Sequence, residues 1–536
     1  MLILDLYFSQ LILLPRLKRY PALSRWKQTE QPVWLIPAVI CWMAGDAMAQ
    51  TAVSEPLSAI EWLSQSVEAA PRAEPPASND LRPPQVTVTP LDRPSKDPIG
   101  LLPANVTGLP RTIWAASDQA TLVDLVRSEH IDTLPAVREF LKVLMLAEAD
   151  PPLGANTDNA LFLARVDTLL ALGAIEPAKA LIEQAEPDTP PLFQRWFDVA
   201  LLTGTEDSAC SVMGENPSVA PTYVARIFCL ARNGDWNTAA LTLNTHRVLG
   251  DITAAEEELT ARFLDPELFE GEPPLPRPAR VSPLIFRMHE AIGEALITGN
   301  LPLAFAHADL RVTTAWKAQL DAAERLARYG AISENVLQQV YTARTPAASG
   351  GVWDRVAAFQ QFDRAASAGD ADAMSRTLPA AWSAMKDART EVPFAKLYAP
   401  ALQGLPLTGE AREIAFAVGL LSPDYETVAI NALGSDQNAF LIALARGAPQ
   451  EVRVTTPREL AIQQAFNGVL PPQQLQGLIR EGKLGEALLQ GIDLFHQGFA
   501  GDLPALTDAL ALFRTVGLED VARRAALQLM ILDRDT

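Results

Sequence analysis

Two side chains that carry much of enzyme chemistry, cysteine and histidine, are scarce in this sequence. There are three cysteines and five histidines in 536 residues. Their spacings match neither a zinc-ligand pattern nor a Cys-x-x-Cys redox pair. The pair His289-Glu290 begins like a zinc-protease helix, but Gly293 stands where the second histidine is required. Since there is also no Gly-x-Ser-x-Gly elbow and no phosphate-binding glycine loop, we expect no catalytic residue, no metal and no cofactor.

Basic charge is also in deficit. The chain has 44 lysines and arginines against 64 aspartates and glutamates, which gives a formal net charge of −20. A nucleic-acid-binding protein needs a basic face to displace counterions from phosphate, and an anionic membrane surface attracts the same kind of face. The charge balance therefore argues against a nucleic-acid partner and against simple adhesion to a membrane surface.

The first 49 residues have the features of an export signal. Five basic residues between positions 16 and 27 precede an apolar run at 33–44, which is too short to cross a bilayer comfortably. The small-x-small sequence Ala47-Met48-Ala49 follows. We predict a signal peptide over 1–49 that is cleaved between Ala49 and Gln50, no stable membrane span after cleavage, and a periplasmic or secreted protein. An uncleaved N-terminal tether remains the alternative.

Proline divides the rest of the chain. Residues 50–110 contain eleven prolines among small and charged residues, a composition typical of a disordered linker. A second proline-rich stretch covers 271–283, where the sequence reads as a stiff extended loop. Helical periodicity fills 111–270 and 284–536, and neither segment has sustained strand alternation. We therefore predict an all-α protein whose helical region has two halves.

A glycine followed five residues later by an alanine recurs within the helical segments. Glycine suits a left-handed helix end, and a small side chain lets the two antiparallel helices approach closely. Glycines are 30 or 31 residues apart from Gly173 through Gly204 to Gly234 and from Gly299 to Gly330, and 35 apart from Gly447 through Gly482 to Gly517. A period of this length is typical of stacked helical hairpins. The predicted turn positions are Gly173 and Ala178, Gly204 and Ala209, Gly234 and Ala239, Gly299 and Ala304, Gly482 and Ala487, and Gly517 and Ala522.

This pattern resembles the tetratricopeptide-like superfamily, in which glycine, a large residue, alanine, further apolar positions and a proline follow in order. The resemblance implies an α-solenoid of antiparallel hairpins that binds extended partners on a concave face. The matching positions are Gly173, Ile175, Ala178, Ile182, Ala185 and Pro190 in one unit, and Gly234, Trp236, Ala239 and Leu243 in another.

Of the three cysteines, Cys41 lies in the predicted signal and leaves with it. Cys210 and Cys229 remain, on helices that we expect to be neighbours in the stack. An even pair in an exported chain indicates a disulfide. Two buried free thiols are the alternative.

These observations favour a non-catalytic exported scaffold that binds a protein or peptide partner in the cell envelope. A second hypothesis is a glycan-associated protein, because soluble lytic transglycosylases are similar in architecture: an export signal precedes a long alanine-rich superhelix. Their catalytic domain follows that superhelix, whereas here helical periodicity continues to Asp533. Five tryptophans lie within helical apolar patterns, where we expect packing between repeats rather than a sugar-binding groove: Trp196, Trp236, Trp316, Trp353 and Trp382.

Overall fold

The computed structural model describes residues 95–434 and 437–532. In these ranges the chain forms 25 α-helices joined by turns and short 3₁₀ segments, and it contains no β-strand. The predicted all-α class is therefore confirmed. The predicted signal peptide, its cleavage point between Ala49 and Gln50, and the proline-rich segment up to residue 94 lie outside the described residues.

The first ten helices precede the second proline-rich stretch, and most of them pair with the next one along the chain. A capping box formed by Thr253 and Glu256 starts the tenth helix, because each residue binds a backbone N–H of the other. These helices are α1 Ala104–Thr107, α2 Gln119–Ser128, α3 Pro135–Leu146, α4 Ala160–Ala171, α5 Ile175–Gln184, α6 Pro190–Thr203, α7 Glu206–Glu215, α8 Tyr223–Arg232, α9 Trp236–Leu249 and α10 Ala254–Leu264.

Fifteen helices follow the second proline-rich stretch. Proline stands in the first turn of several of them, where its missing N–H costs no hydrogen bond. They are α11 Pro283–Ala291, α12 Ala306–Asp309, α13 Trp316–Arg328, α14 Glu334–Thr342, α15 Val352–Ala368, α16 Ala371–Ala388, α17 Glu391–Leu402, α18 Gly409–Leu420, α19 Tyr425–Asn431, α20 Ala439–Ala445, α21 Pro457–Phe466, α22 Gln473–Arg480, α23 Leu484–Phe499, α24 Leu503–Thr515 and α25 Glu519–Ile531.

Most of the predicted glycine positions adopt a left-handed backbone at a helix end. Gly173, for example, ends the α4 segment and leads directly into α5. The exception is Gly299, which lies inside a 3₁₀ turn at 298–300 and does not join two α-helices. The five left-handed positions, with φ between 69° and 87°, are Gly173, Gly204, Gly234, Gly482 and Gly517.

The alanines paired with these glycines lie inside the following helix and not at the turn itself. The glycine makes the turn, and the alanine faces the preceding helix from within the next one. The alanine after each left-handed glycine is fully buried, as close packing of two helices requires. These alanines are Ala178 in α5, Ala209 in α7, Ala239 in α9, Ala487 in α23 and Ala522 in α25.

The remaining pair, Gly299 and Ala304, does not mark a hairpin of two α-helices. Ala304 is buried, but it belongs to a 3₁₀ segment at 303–305 that precedes the short helix α12. It packs in a small apolar cluster with Ile175 of α5 and Phe286 of α11. The predicted repeat is therefore interrupted here, because Pro302 directly precedes the segment and cannot donate the N–H that a continuous helix needs.

The end of the described chain packs against its beginning. Helix α25 lies on α3, and the side chain of Gln528 accepts a hydrogen bond from the Ala136 backbone N–H at 2.8 Å. Helix α23 likewise packs on α2. In an open solenoid each hairpin contacts only its neighbours. The contacts seen here add a closure between residues almost 400 positions apart.

The two proline-rich stretches are in part tied to the helices. Asp97 is fully buried and accepts hydrogen bonds from the Phe162 backbone and the Gln119 side chain. The packed structure therefore begins by Ser95 and includes residues 95–110 of the predicted linker. In the second stretch, Arg262 of α10 donates to the Pro273 carbonyl at 3.0 Å. Helices α6 and α11 also contact each other across that loop.

Candidate binding surfaces

The predicted disulfide is present. Cys210 of α7 and Cys229 of α8 are bonded, with Cα atoms 4.8 Å apart, and both residues are buried. The bridge joins α7 to α8, and α8 forms the next hairpin with α9. It therefore restrains the helix against which α9 packs.

The five histidines are dispersed. His289 is buried near Glu294, His307 contacts the Gly173 carbonyl, and His246 lies 2.8 Å from Asp251. The remaining two stack on each other across the contact between α2 and α23, with ring centroids 4.1 Å apart; they are His130 and His496. No group of three or more metal-ligating side chains converges within residues 95–434 and 437–532.

Four of the five tryptophans pack against other helices, as expected. Trp196, Trp316 and Trp382 are buried, and the Trp353 ring contacts that of Trp316, with centroids 5.2 Å apart. Trp236 differs, because its side chain is 50% exposed at the start of α9. An aromatic residue in a helical apolar pattern looks like core in the sequence, and only the structure shows that this one faces water.

Helix α9 exposes an apolar face. Of its fourteen residues only Ala239 and Leu243 are buried, whereas Leu241, Val248 and Leu249 are 67%, 81% and 65% exposed. The helical periodicity places Leu241 and Val248 on one side, seven residues and two turns apart. Leu249 lies on the same outward half of the helix, whereas Trp236 lies about 140° around the helix from Leu241, near the buried side. We call Leu241, Val248 and Leu249 the α9 face.

Polar but uncharged residues separate these apolar side chains. Asn237, Asn244 and Thr245 share the outward side of the helix, and all three are exposed. The exposed charge on α9 is Arg247, at one edge, where it pairs with Glu257 at 3.4 Å. Charged residues are depleted at the cores of protein interfaces, so an exposed helix face of this composition is suited to contact with another protein.

The backbone that carries the α9 face is well fixed. Asp235 caps the start of α9 by accepting from the Thr238 N–H at 3.2 Å, and Gly250 ends it in a left-handed conformation. On the buried side, α9 packs mainly against α8 and α10. Near its C-terminal end, His246 stacks under the half-exposed ring of Tyr223, with centroids 3.4 Å apart.

A second surface lies where α25, the last helix of the described residues, packs on the early helix α3. Arg524 of α25 donates to the Glu139 carboxylate of α3 at 2.6 Å, and the Lys396 amine of α17 is 3.5 Å from the same oxygen. One helical turn along α3, Lys142 donates to the Gly330 carbonyl at 2.6 Å. Arg138 donates to the Arg328 carbonyl at 2.7 Å, and its guanidinium lies over the Tyr329 ring. We call Arg138, Glu139, Lys142, Lys396 and Arg524 the closure cluster.

The electrostatics of the closure cluster favour negative charge. Burial acts to raise the pKa of Glu139, yet the nearby cations Lys396, Arg524 and Lys142 lower it to about 2. Burial lowers the pKa of Lys142 to about 8, and the like charges of Lys396 and Arg138 act in the same direction, against Glu139. Three cationic side chains thus act on one carboxylate in a chain whose overall charge is negative.

Two further features lie outside the α9 face and the closure cluster. An apolar concavity of about 290 Å³ lies among α17, α18 and α19, with Leu402, Leu407 and Phe416 in its wall.

In the core, the Tyr341 hydroxyl donates to Glu324 at 2.6 Å, and Arg355 binds both oxygens of that carboxylate. No sequence motif marks this buried triad, because its three residues are contributed by three separate helices.

Two acidic residues cap helices. Asp370 accepts from the Ala373 N–H at the start of α16, and Glu256 belongs to the capping box of α10. Such carboxylates satisfy free N–H groups and favour the positive end of the helix dipole. Their positions are explained by helix initiation.

Comparison with protein-family models, with curated proteins and with solved structures finds no match to this chain. Within the described ranges, no helix is both long enough and apolar enough to cross a membrane.

Proposed function

We propose that this protein is a non-catalytic, exported helical-repeat scaffold that binds a protein partner in the cell envelope through the α9 face. The observation that carries the proposal is the exposure of Leu241, Val248 and Leu249 on a helix that is rigidly held from behind. Soluble proteins rarely leave such side chains together in water unless another molecule covers them.

The energetic scale of this contact is adequate for specific binding. Complete burial of one leucine or valine side chain contributes about 1.5 to 3 kcal/mol. The three residues of the α9 face can form the centre of an interface, where a few side chains supply most of the affinity. The neighbouring asparagines and Thr245 can pair with the partner's backbone and thereby set its orientation.

Export is supported by two independent features. The sequence of residues 1–49 has the order of a cleaved signal, and the Cys210–Cys229 disulfide is of a kind that persists in oxidising compartments. The tetratricopeptide-like relationship is likewise a proposal, which rests on the recurring glycine and alanine positions at the hairpins. A scaffold of this type uses its helices to position a binding face rather than to build an active site.

The test is affinity capture from the envelope fraction of the producing cell, using the wild-type protein and the double variant Leu241→Glu/Val248→Glu. Both substituted side chains already face water, so the fold should tolerate the charges. Val312→Glu serves as the matched control, because Val312 is 93% exposed on a different segment.

We expect the wild type and the control to retain the same partner protein, and the double variant to lose it by at least tenfold. Equal recovery by all three proteins would contradict the assignment of the α9 face. Recovery of glycan fragments without a protein would contradict the scaffold proposal and would favour the glycan-associated hypothesis.

A further inference from the structure

The closure cluster brings cationic side chains from distant parts of the chain together around the Glu139 carboxylate. Its four cationic side chains come from three helices that are distant in sequence, α3, α17 and α25. Only one of its own members, Glu139, is acidic. Two other carboxylates act at its edges: Glu334 affects Lys142, and Asp520 lies 3.6 Å from Arg524.

The cluster is partly exposed to solvent. The side chains of Glu139, Lys396 and Arg524 are 41%, 29% and 21% exposed. They are therefore neither sealed in the core nor fully solvated. Charges in such a partly dehydrated position interact more strongly with a ligand than charges on an open surface do.

Lys142 supplies a second reason to expect a ligand. Its amine donates to the Gly330 carbonyl at 2.6 Å, and burial together with the nearby cations Lys396 and Arg138 lowers its pKa. An anion placed between Lys142 and Lys396 would offset both the lost hydration and the like-charge repulsion.

We propose that the closure cluster is a binding site for a small oxyanion with at least two acceptor oxygens, held by Lys142, Lys396 and Arg524. The ligand's oxygens accept hydrogen bonds from the two amines and from the guanidinium, while Glu139 competes for the same donors. Phosphate and polycarboxylate ligands share this chemistry. Because the site joins α3, α17 and α25, an occupied site also stabilises the closure of the chain.

Isothermal titration calorimetry at low salt tests the proposal, with inorganic phosphate and citrate as separate probes. The proteins are the wild type, Lys396→Met, Glu139→Gln and, as a matched control, Lys386→Met, which alters an exposed lysine on α16. Circular dichroism confirms the helical content of each variant before titration. Comparison of the two probes distinguishes a phosphate ligand from a polycarboxylate one.

We expect saturable binding of one equivalent by the wild type and the control, at least tenfold weaker binding by Lys396→Met, and tighter binding by Glu139→Gln. Affinity should also fall at least tenfold between pH 7 and pH 9.5, because Lys142 loses its proton, and binding at pH 8 should be accompanied by proton uptake. No saturable binding of either probe by the wild type would overturn the proposal, as would equal binding by Lys396→Met. Binding confined to Glu139→Gln would overturn it too, since Glu139 would then fill the site in the native protein.

Discussion

Replacement of Glu139 by glutamine tests how the late helices α17 and α25 are held against the early helix α3. The carboxylate accepts from Arg524 at 2.6 Å and lies 3.5 Å from the Lys396 amine. Glutamine keeps the size of the side chain but removes the charge that offsets the surrounding cations. We therefore expect Glu139→Gln to destabilise the folded protein at neutral pH.

The magnitude follows from the pKa. A carboxyl whose pKa falls from 4.5 to about 2 on folding contributes about 3 kcal/mol when fully ionised. Because the Glu139 side chain is 41% exposed, solvent screening reduces this to about 1 to 2 kcal/mol. A carboxyl with a lowered folded-state pKa contributes above its unfolded pKa, and the contribution disappears as the pH falls from about 4.5 to about 2.

The assay is urea unfolding of the wild type and of Glu139→Gln at pH 7, 5, 4 and 3, followed by circular dichroism. The control is Glu413→Gln, which alters an exposed glutamate on α18 and should change stability by less than about 0.5 kcal/mol. We expect a difference of about 1 to 2 kcal/mol at pH 7 that shrinks steadily below pH 4.5. An unchanged midpoint at pH 7, or a difference independent of pH, would refute this account of the closure.

Three other predictions concern the helical framework, and chemical denaturation checks each of them. Replacing Cys210 and Cys229 by alanine should cost about 3 kcal/mol, the loop-closure entropy of a bridge across 19 residues, and an unchanged unfolding midpoint would contradict this. Gly498→Ala should destabilise the α23–α24 pair by about 1 to 3 kcal/mol, because the added Cβ would lie 2.6 Å from the backbone of the next helix; a stability equal to the wild type would mean that the helices separate without cost. Tyr341→Phe should cost about 1 to 2 kcal/mol by removing the buried hydrogen bond to Glu324, and a loss below about 0.5 kcal/mol would show that the bond contributes little.

The helix breaks and the disulfide of this protein can be predicted from its sequence. The helix breaks at Gly173 and Gly234 follow from backbone conformation, since glycine alone enters the left-handed region without a steric penalty. The Cys210–Cys229 bond follows from an even cysteine count and from the adjacency of successive helices. These features depend on residues close together in the chain, which is why the sequence pattern contains them.

The closure and the binding surfaces depend on distant residues and were not predictable in the same way. Glu139 and Lys142 on α3 read as an ordinary solvated helix face, and nothing near them in sequence indicates Lys396 or Arg524. Trp236 reads as core, because its apolar neighbours have helical spacing. Only the packing of α9 on α8 and α10 shows that the opposite side of the helix is left uncovered.

The most direct test of the proposed scaffold role is site-specific photo-crosslinking in the intact envelope. A photoreactive residue is placed in turn at positions 241, 248 and 312 of the full chain. The account predicts that positions 241 and 248 link to the same partner protein and that position 312, on an exposed segment outside the α9 face, does not. Equal cross-linking at all three positions, or none at 241 and 248, would contradict the proposal that the α9 face binds a protein.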